Sequence, residues 1–287
     1  MNYTPCNVVA EIGATHIGNL KRAKYLVSLA ALAGADYVKF QKRDPHLSTP
    51  EEMKNKPPPN ERFSYGKTYL DHRINLELSA YDHAELKVYC ESRNIGYATS
   101  VWDTVSAREI IQLQPDFIKI PSACNNNTEL LDILFNEYTG GVHISTGMTS
   151  EEEMRKLMLY LNTTMKKHLS RVVIYHCTSE YPCPLDRLCI RELEVLQEVF
   201  PDIQDVGFSS HEKGVNADIP AYMLGARWLE RHFIDDRTFR HTDSASSLEP
   251  EGLKIVCQKL KNLLKVIQYK REMSVDEQAQ RKKLKGT

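Results

Sequence analysis

No apolar stretch in this sequence is long enough to cross a bilayer. The opening residues, MNYTPCNVVAEIG, lack the basic segment and apolar run of a secretory signal. Neither charge sign dominates: 37 Lys and Arg face 38 Asp and Glu, leaving a net charge of -1. That balance gives no support for binding nucleic acid or a membrane surface, though it leaves room for a local basic pocket. The seven cysteines are an odd number without a C-x-x-C pair. Cys6 and Cys177 fall in expected strands and Cys90 and Cys257 in expected helices, where a free thiol packs as a small apolar group. The expectation is a reducing, cytoplasmic compartment. Cys177, Cys183 and Cys189 lie evenly spaced near His176, a looser spacing than structural zinc sites favour. No glycine fingerprint follows the first apolar run, which removes the usual mark of a dinucleotide-binding sheet.

What the sequence does contain is a recurring alternation of β-rich runs and amphipathic stretches. The runs are NVVAEIG (7–13), DYVKFQ (36–41), GYATSV (96–101), FIKIPS (117–122), VHISTG (142–147), VVIYHCT (172–178), VGFSSH (206–211) and WLERHF (228–233). Rich in Val, Ile, Phe and Tyr with little clean alternation, they read as strands of a parallel sheet covered on both faces. Between them, Leu26, Leu29, Ala30 and Ala33 form one stripe, with Gly34 placed for a left-handed C-cap. Ser79 with Asp82 resembles a capping box. Ser150, followed by three Glu, puts negative charge on the positive end of the next helix. A last helix starts after Pro250 and runs to about Tyr269. Eight strands, each followed by a helix, fit an α/β fold, a single-domain (β/α)8 TIM barrel over residues 1–269. An open doubly wound sheet is the structural alternative. Residues 270–287 read as a charged tail, a frayed helix end or linker. The stretch from Lys42 to Leu78 exceeds an ordinary βα loop and is expected to be functional or disordered.

A barrel builds its active site where strands end and βα loops begin. Those ends carry Glu11, Lys39, Gln41, Ser100, Lys119, Ser122, Ser145, Thr146, Thr178, Ser209, Ser210, His211 and His232. A buried lysine is costly unless paired; an anionic ligand held between Lys39 and Lys119 is the simplest partner for both, and Lys39 taken alone also fits a structural ion pair. Converging lysines and hydroxyls suit a phosphate or carboxylate. Two histidines from adjacent strands suit a divalent metal with open positions. Together they point to a small phosphorylated acid beside a metal that polarises a carbonyl. His143 reads as a core histidine, His83 and His168 as surface residues. His16 either lines the site or caps a helix. Lys67, His72 and Arg73 either grip a sugar phosphate or form a solvated basic face.

The segments AEIGATHIGN, AGADYVKFQK, YGKTYLDHRINLELS, FIKIPSACNNN, ISTGMTS, HCTSEYPCP, GFSSHEKG, LERHF and TDSASSLEP carry a resemblance in order along the chain. The chain resembles the sialic acid (N-acetylneuraminate, or more broadly nonulosonate) synthases. That resemblance implies a transferase that condenses phosphoenolpyruvate with a small sugar aldehyde, such as N-acetylmannosamine or its 6-phosphate. It assigns a divalent metal, Mn2+ or Mg2+, to His211 and His232, and catalysis to Glu11, Lys39 and Lys119. Glu11 would manage a proton or orient the attacking water. Lys39, Ser100, Lys119 and Ser122 would hold phosphoenolpyruvate, with Ser145, Ser179 and Ser209 completing a phosphate cradle. Gln41 is placed among the substrate-binding residues, and Tyr181 and Asp243 would contact the sugar hydroxyls. It further implies a homodimer.

The chain departs from that family at Thr15, where Asn is usual, and at Ser244, where His is frequent; both positions bear on sugar recognition. Most members continue into a small C-terminal antifreeze-like domain, and residues 270–287 are expected to match the linker without it. Two alternatives stand beside the leading one: a condensing enzyme that makes an octulosonate or heptulosonate, and a non-catalytic sugar-binding relative.

Overall fold

Each of the eight β-rich runs forms a strand in the computed structural model, which describes residues 4–58 and 60–286. They are β1 (Asn7–Gly13), β2 (Tyr37–Lys42), β3 (Gly96–Val101), β4 (Phe117–Ile120), β5 (Gly141–Ser145), β6 (Val172–Cys177), β7 (Asp205–Ser210) and β8 (Trp228–His232). Every neighbour is parallel, and β8 returns to β1, so the sheet closes into a barrel in sequence order. The open-sheet alternative is thereby excluded.

The lack of alternation in these strands now has a physical cause. Outward side chains such as Val8, Ala10, Ile12, Val38, Phe40 and Ile118 are buried under the helical ring. Their inward neighbours Val9, Ala98, Phe117, Val173, Tyr175 and Trp228 form a second apolar cluster inside the barrel. Both faces of a barrel strand are therefore withdrawn from water. His143 belongs to this inner floor, as expected of a core histidine. Its ring lies 3.8 Å from that of Phe117 between centroids, and its Nδ1 is 3.0 Å from the Tyr175 hydroxyl.

The helix ends follow the local chemistry. Asn19 caps Leu20–Ala33, and Gly34 closes it at φ 92°. Ser79 with Asp82, and Ser150 with Glu153, complete reciprocal capping boxes. The helix from Pro250 ends at Val266 rather than near Tyr269, where Val266 and Tyr269 are both exposed and burial no longer supports it. Beyond it the tail holds a further helix, Val275–Lys285, with no buried residue. The Ser274 cap, acidic residues in its first turn and Lys282, Lys283 and Lys285 in its last form it locally, matching the helix dipole.

One reading needs correction. His83 is buried, not on the surface, and its Nδ1 meets the Tyr97 hydroxyl at 2.7 Å. It shares one buried stripe with Leu86 and Cys90 on the helix Ala80–Ser92. His168 is only partly covered, stacked on Phe135. The long segment after β2 is ordered around the short helices Pro45–Ser48, Glu51–Lys54 and Tyr69–Leu76. Tyr65 ties it down: its N–H donates to His72 Nδ1 at 3.0 Å, its hydroxyl donates to the Arg240 carbonyl, and its carbonyl accepts from Asn75.

At the other side of the rim, Arg231 is fully buried. It donates to Asp218 at 2.5 Å and to the carbonyls of Glu212 and Gly214 at 3.2 and 2.6 Å. Arg231 precedes His232 and Glu212 follows His211. This buried ion cluster therefore fixes the ends of β7 and β8, and with them the two histidines.

Candidate active site

Inward-facing residues recur every second position, and the strand register decides which of them sit at one height. Glu11 pairs in register with Lys39 and with His232, Ser100 with Lys119, and Ser209 with Glu230. A ring of ionisable and hydroxyl side chains thus lies directly above the apolar floor, at the C-terminal ends of the strands. Glu11, Lys39, Gln41, Ser100, Lys119, Ser122, Ser145, Ser179, Tyr181, Ser209, His211, His232 and Asp243 all line one cavity.

The two lysines do not wait for a ligand, as the sequence suggested. Lys39 pairs with Glu11 and lies 3.7 Å from Glu230, while Lys119 donates to Glu230 at 2.7 Å. Lys39 also donates to the Ser100 hydroxyl at 2.7 Å, and Ser209 donates to Glu230 at 3.2 Å. The Lys119 ammonium stands 4.3 Å above the Tyr175 ring. Burial pushes both carboxyls up, but the two lysines overcome it at Glu230 and hold that group at about 2. At Glu11, burial wins over Lys39, repulsion from Glu230 adds to it, and the carboxyl rises to about 7. The pair is thus split into a fixed anion and a group able to exchange a proton near neutral pH.

A hydroxyl-lined pocket opens beside Lys119. Ser122 accepts the Gly147 N–H at 3.0 Å, with Ser145, Ser179 and Ser209 on the neighbouring strand ends. A side chain at position 147 would overlap the hydroxyls of Ser179 and Ser122, so glycine is required where these serines close in. Gly13 has a similar constraint, at φ 56° in the irregular end of β1, with Glu11 and Gln41 packed against it.

His211 and His232 face each other with ring centroids 5.3 Å apart, and Tyr181 lies 4.0 Å from His211. His211 Nδ1 donates to the Thr178 carbonyl at 2.7 Å, which leaves its Nε2 lone pair free. His232 Nδ1 is buried without a hydrogen-bond partner. Burial first, then the neighbouring imidazole, lowers His211 to about 3; burial likewise lowers His232. Two neutral imidazoles, one oriented by a backbone carbonyl, are a fitting donor pair for a divalent ion. Among the described residues no group of three or more His, Cys, Asp or Glu could hold a metal. A metal here would therefore take its other donors from substrate and water. The Cys177, Cys183, Cys189 and His176 set is not gathered for a metal; His176 Nε2 donates to the Leu188 carbonyl at 2.7 Å.

The outer wall of the cavity is cationic. Arg43 stacks 3.7 Å above Trp102 and donates to Gln41 at 2.6 Å. Glu77 accepts the Arg43 N–H at 3.1 Å and lies 3.6 Å from its guanidinium. Burial, opposed by Arg43, raises Glu77 to about 7. A raised carboxyl favours the folded state below its unfolded value, and that contribution is lost as pH rises through about 7. Relative to Glu77→Gln, the wild type is expected to lose about 3 kcal/mol of stability between about pH 5 and about pH 8, measured by urea unfolding. An unchanged difference across that range would refute this assignment.

Residues 26–272 match the profile of the NeuB family. The chain belongs to that family. It is 33% identical over 249 residues to the human N-acetylneuraminate-9-phosphate synthase, covering 87% of this chain and 67% of that protein. It is 30% identical over 262 residues to the N,N'-diacetyllegionaminic acid synthase of Campylobacter jejuni, covering 91% and 77%. Among solved structures, the N-acetylneuraminic acid synthetase of Leptospira borgpetersenii, in complex with citrate, superposes with a TM-score of 0.79. At 24% identity over 99% of this chain and 94% of that one, it supports the fold.

This NeuB-family site also contains residues that the sequence reading passed over. Glu230 is the most consequential: it sits two positions before His232 in β8 and so shares its inward face. That period was available in LERHF. Arg43, Trp102 and His241 line the cavity as well, but come from separate loops with no common spacing. Conversely, Thr146 and Thr178 donate to the Tyr175 and Arg187 carbonyls and serve the loops. His16 is buried, and its Nδ1 accepts the Gly18 N–H at 3.1 Å. Lys67 is exposed, and His72 is buried between Tyr65 and Tyr69.

Proposed function

We propose that this protein condenses phosphoenolpyruvate with an open-chain amino-sugar aldehyde to give a nonulosonate and inorganic phosphate. One observation carries the reading: a hydroxyl cradle beside Lys119 adjoins two neutral histidines above a floor of two lysines and two glutamates. The relatives' activities agree with it.

Phosphoenolpyruvate carries a carboxylate and a phosphate, and Lys39, Lys119, Ser100, Ser122, Ser145, Ser179 and Ser209 supply the donors for them. Because Glu11 and Glu230 already match the lysine charges, a highly anionic substrate calls for further positive charge. A divalent ion, manganese or magnesium, held by His211 and His232 would supply that charge and Lewis acidity toward the aldehyde. Tyr181, Gln41 and Asp243 line the same cavity and would hold the sugar's hydroxyls.

The methylene carbon of phosphoenolpyruvate attacks the aldehyde carbon, and the former carbonyl oxygen takes a proton to become a hydroxyl. Water adds to the resulting cationic C2, passing its proton to Glu11. The bond from C2 to the phosphate oxygen then breaks, its electron pair leaves with inorganic phosphate, and the new C2 hydroxyl gives its remaining proton to that phosphate as C2 becomes the ketone. Lys119, fixed by Glu230, stabilises the anionic groups without reorganising. Side-by-side binding supplies the entropic part of the rate. The proposal extends to a homodimer, to be read from the mass in solution, and to a cytoplasmic site of action, consistent with seven free cysteines.

The test is product mass after incubating phosphoenolpyruvate and manganese with a panel of aldoses. The panel holds N-acetylmannosamine, its 6-phosphate, mannose, a diacetamido hexose and arabinose 5-phosphate. A nine-carbon acid supports the proposal. Product from arabinose 5-phosphate alone would replace it with an octulosonate synthase.

A further inference from the structure

Strands β2 and β3 pair as far as Lys42 with Val101. Arg43 and Trp102 are the next residues of the two segments, so they leave the sheet side by side, and both line the cavity. Arg43 is buried there and fixed on three sides. Its guanidinium stacks 3.7 Å from the centroid of the Trp102 ring, lies 3.6 Å from Glu77 and donates to Gln41 Oε1 at 2.6 Å. Burial first, and then the charge of Arg73 on the same cavity, lower Arg43 to about 10, so it stays cationic at neutral pH. These partners hold the guanidinium in place before any substrate arrives.

What Arg43 does to Gln41 follows from which atoms can pair. A guanidinium carries donors only, so the amide atom that faces it has to be the oxygen. The terminal torsion of a glutamine is broad and roughly two-fold, and left alone it would let oxygen and nitrogen exchange places. A hydrogen bond from a charged donor favours one orientation on the order of 10- to 100-fold. The other end, Gln41 Nε2, lies beside Gly13 near the Glu11 carboxyl. Among the described residues Gln41 makes no further side-chain hydrogen bond, so both N–H groups of a half-buried amide are left for a ligand in the cavity.

We propose that Arg43 is a positioning residue: it holds Gln41 as a donor only, so that the site reads an acceptor atom of the sugar at that point. Arg43 then acts on the sugar through Gln41, by removing in advance the side-chain freedom that binding would otherwise have to remove. The sugar as the partner of Gln41 rests on the proposed condensation, whereas the binding test needs no turnover.

The experiment is calorimetric titration of the full chain with the aldose panel, without phosphoenolpyruvate. The variants are Gln41→Met, Gln41→Glu, Arg43→Met, Arg43→Lys and the double variant Gln41→Met/Arg43→Met, and the aldose that the wild type binds most tightly is the probe. Gln41→Met should weaken its binding about 10-fold, the scale for one hydrogen bond. Gln41→Glu should lose at least as much, since a carboxylate keeps the bond to Arg43 but has no N–H to give. Arg43→Met should cost about 5-fold, through the ordering of Gln41. Arg43→Lys should recover most of that loss, because one ammonium N–H still reaches Oε1 and the charge opposite Glu77 is kept.

The double variant should bind within about 2-fold of Gln41→Met, because Arg43 has nothing left to position. A merely structural loss at the rim would persist in that background. Undiminished binding by Gln41→Glu would make the oxygen the reading atom, and costs that add in the double variant would make Arg43 act alone; either result overturns the proposal. A wild type that binds none of the aldoses would overturn it as well. The expected cycle with no phosphate released from phosphoenolpyruvate would sustain the positioning and sink the condensation. Full turnover with additive costs would do the reverse.

Discussion

Lys119→Met is expected to lower phosphate release from phosphoenolpyruvate by roughly 10³-fold, the scale for losing one preorganised charge at a reacting anion. It should also destabilise the barrel, by about 3 kcal/mol, because it takes from Glu230 its nearest partner in a buried site. Lys39, 3.7 Å from Glu230, limits the damage. The double variant Lys119→Met/Glu230→Gln separates the two effects. It removes the orphaned charge, so stability in urea should largely return, while phosphate release should stay low. Recovery of activity together with stability would mean that Lys119 serves the fold alone.

His211→Ala should reduce manganese affinity, measured by calorimetry, by more than about 100-fold, since losing a ligand exceeds the cost of losing its outer partner. Phosphate release should fall by roughly 10³-fold, the few kcal/mol that a Lewis acid contributes at a carbonyl. His232→Ala should behave alike, because the facing rings offer one donor each. Near-normal phosphate release from His211→Ala after exhaustive chelation would contradict the metal assignment. Unaltered manganese affinity would place the ion elsewhere.

The barrel was legible because burial on both strand faces writes continuous apolar runs, and a Lys, Glu or His inside such a run is conspicuous. Glu11, Lys39, Lys119, His211 and His232 stand out in the sequence for that reason and line one cavity, whereas Thr146 and Thr178, chosen with them, turn to the loops. What was not legible has equally physical causes. Glu230 hides beside a histidine that draws attention first, although the strand period places both inside. His83 was misread because a histidine among polar helical neighbours looks exposed, and only its spacing to Leu86 and Cys90 shows the buried stripe. The meeting of Arg43, Arg73 and His241 depends on how short helices fold over the rim, where no period exists to follow. The tail helix is set by its cap and charges rather than by packing, so apolar periodicity could not reveal it.

The account rests most heavily on a new carbon–carbon bond made at the expense of phosphoenolpyruvate. The most direct test follows phosphoenolpyruvate labelled with carbon-13 at its methylene by NMR, with manganese and the aldose panel. The account predicts that the label passes from an olefinic to a saturated methylene bonded to the former aldehyde carbon, one phosphate appearing per bond formed. Label arriving instead in the methyl group of pyruvate would reveal simple hydrolysis and contradict it.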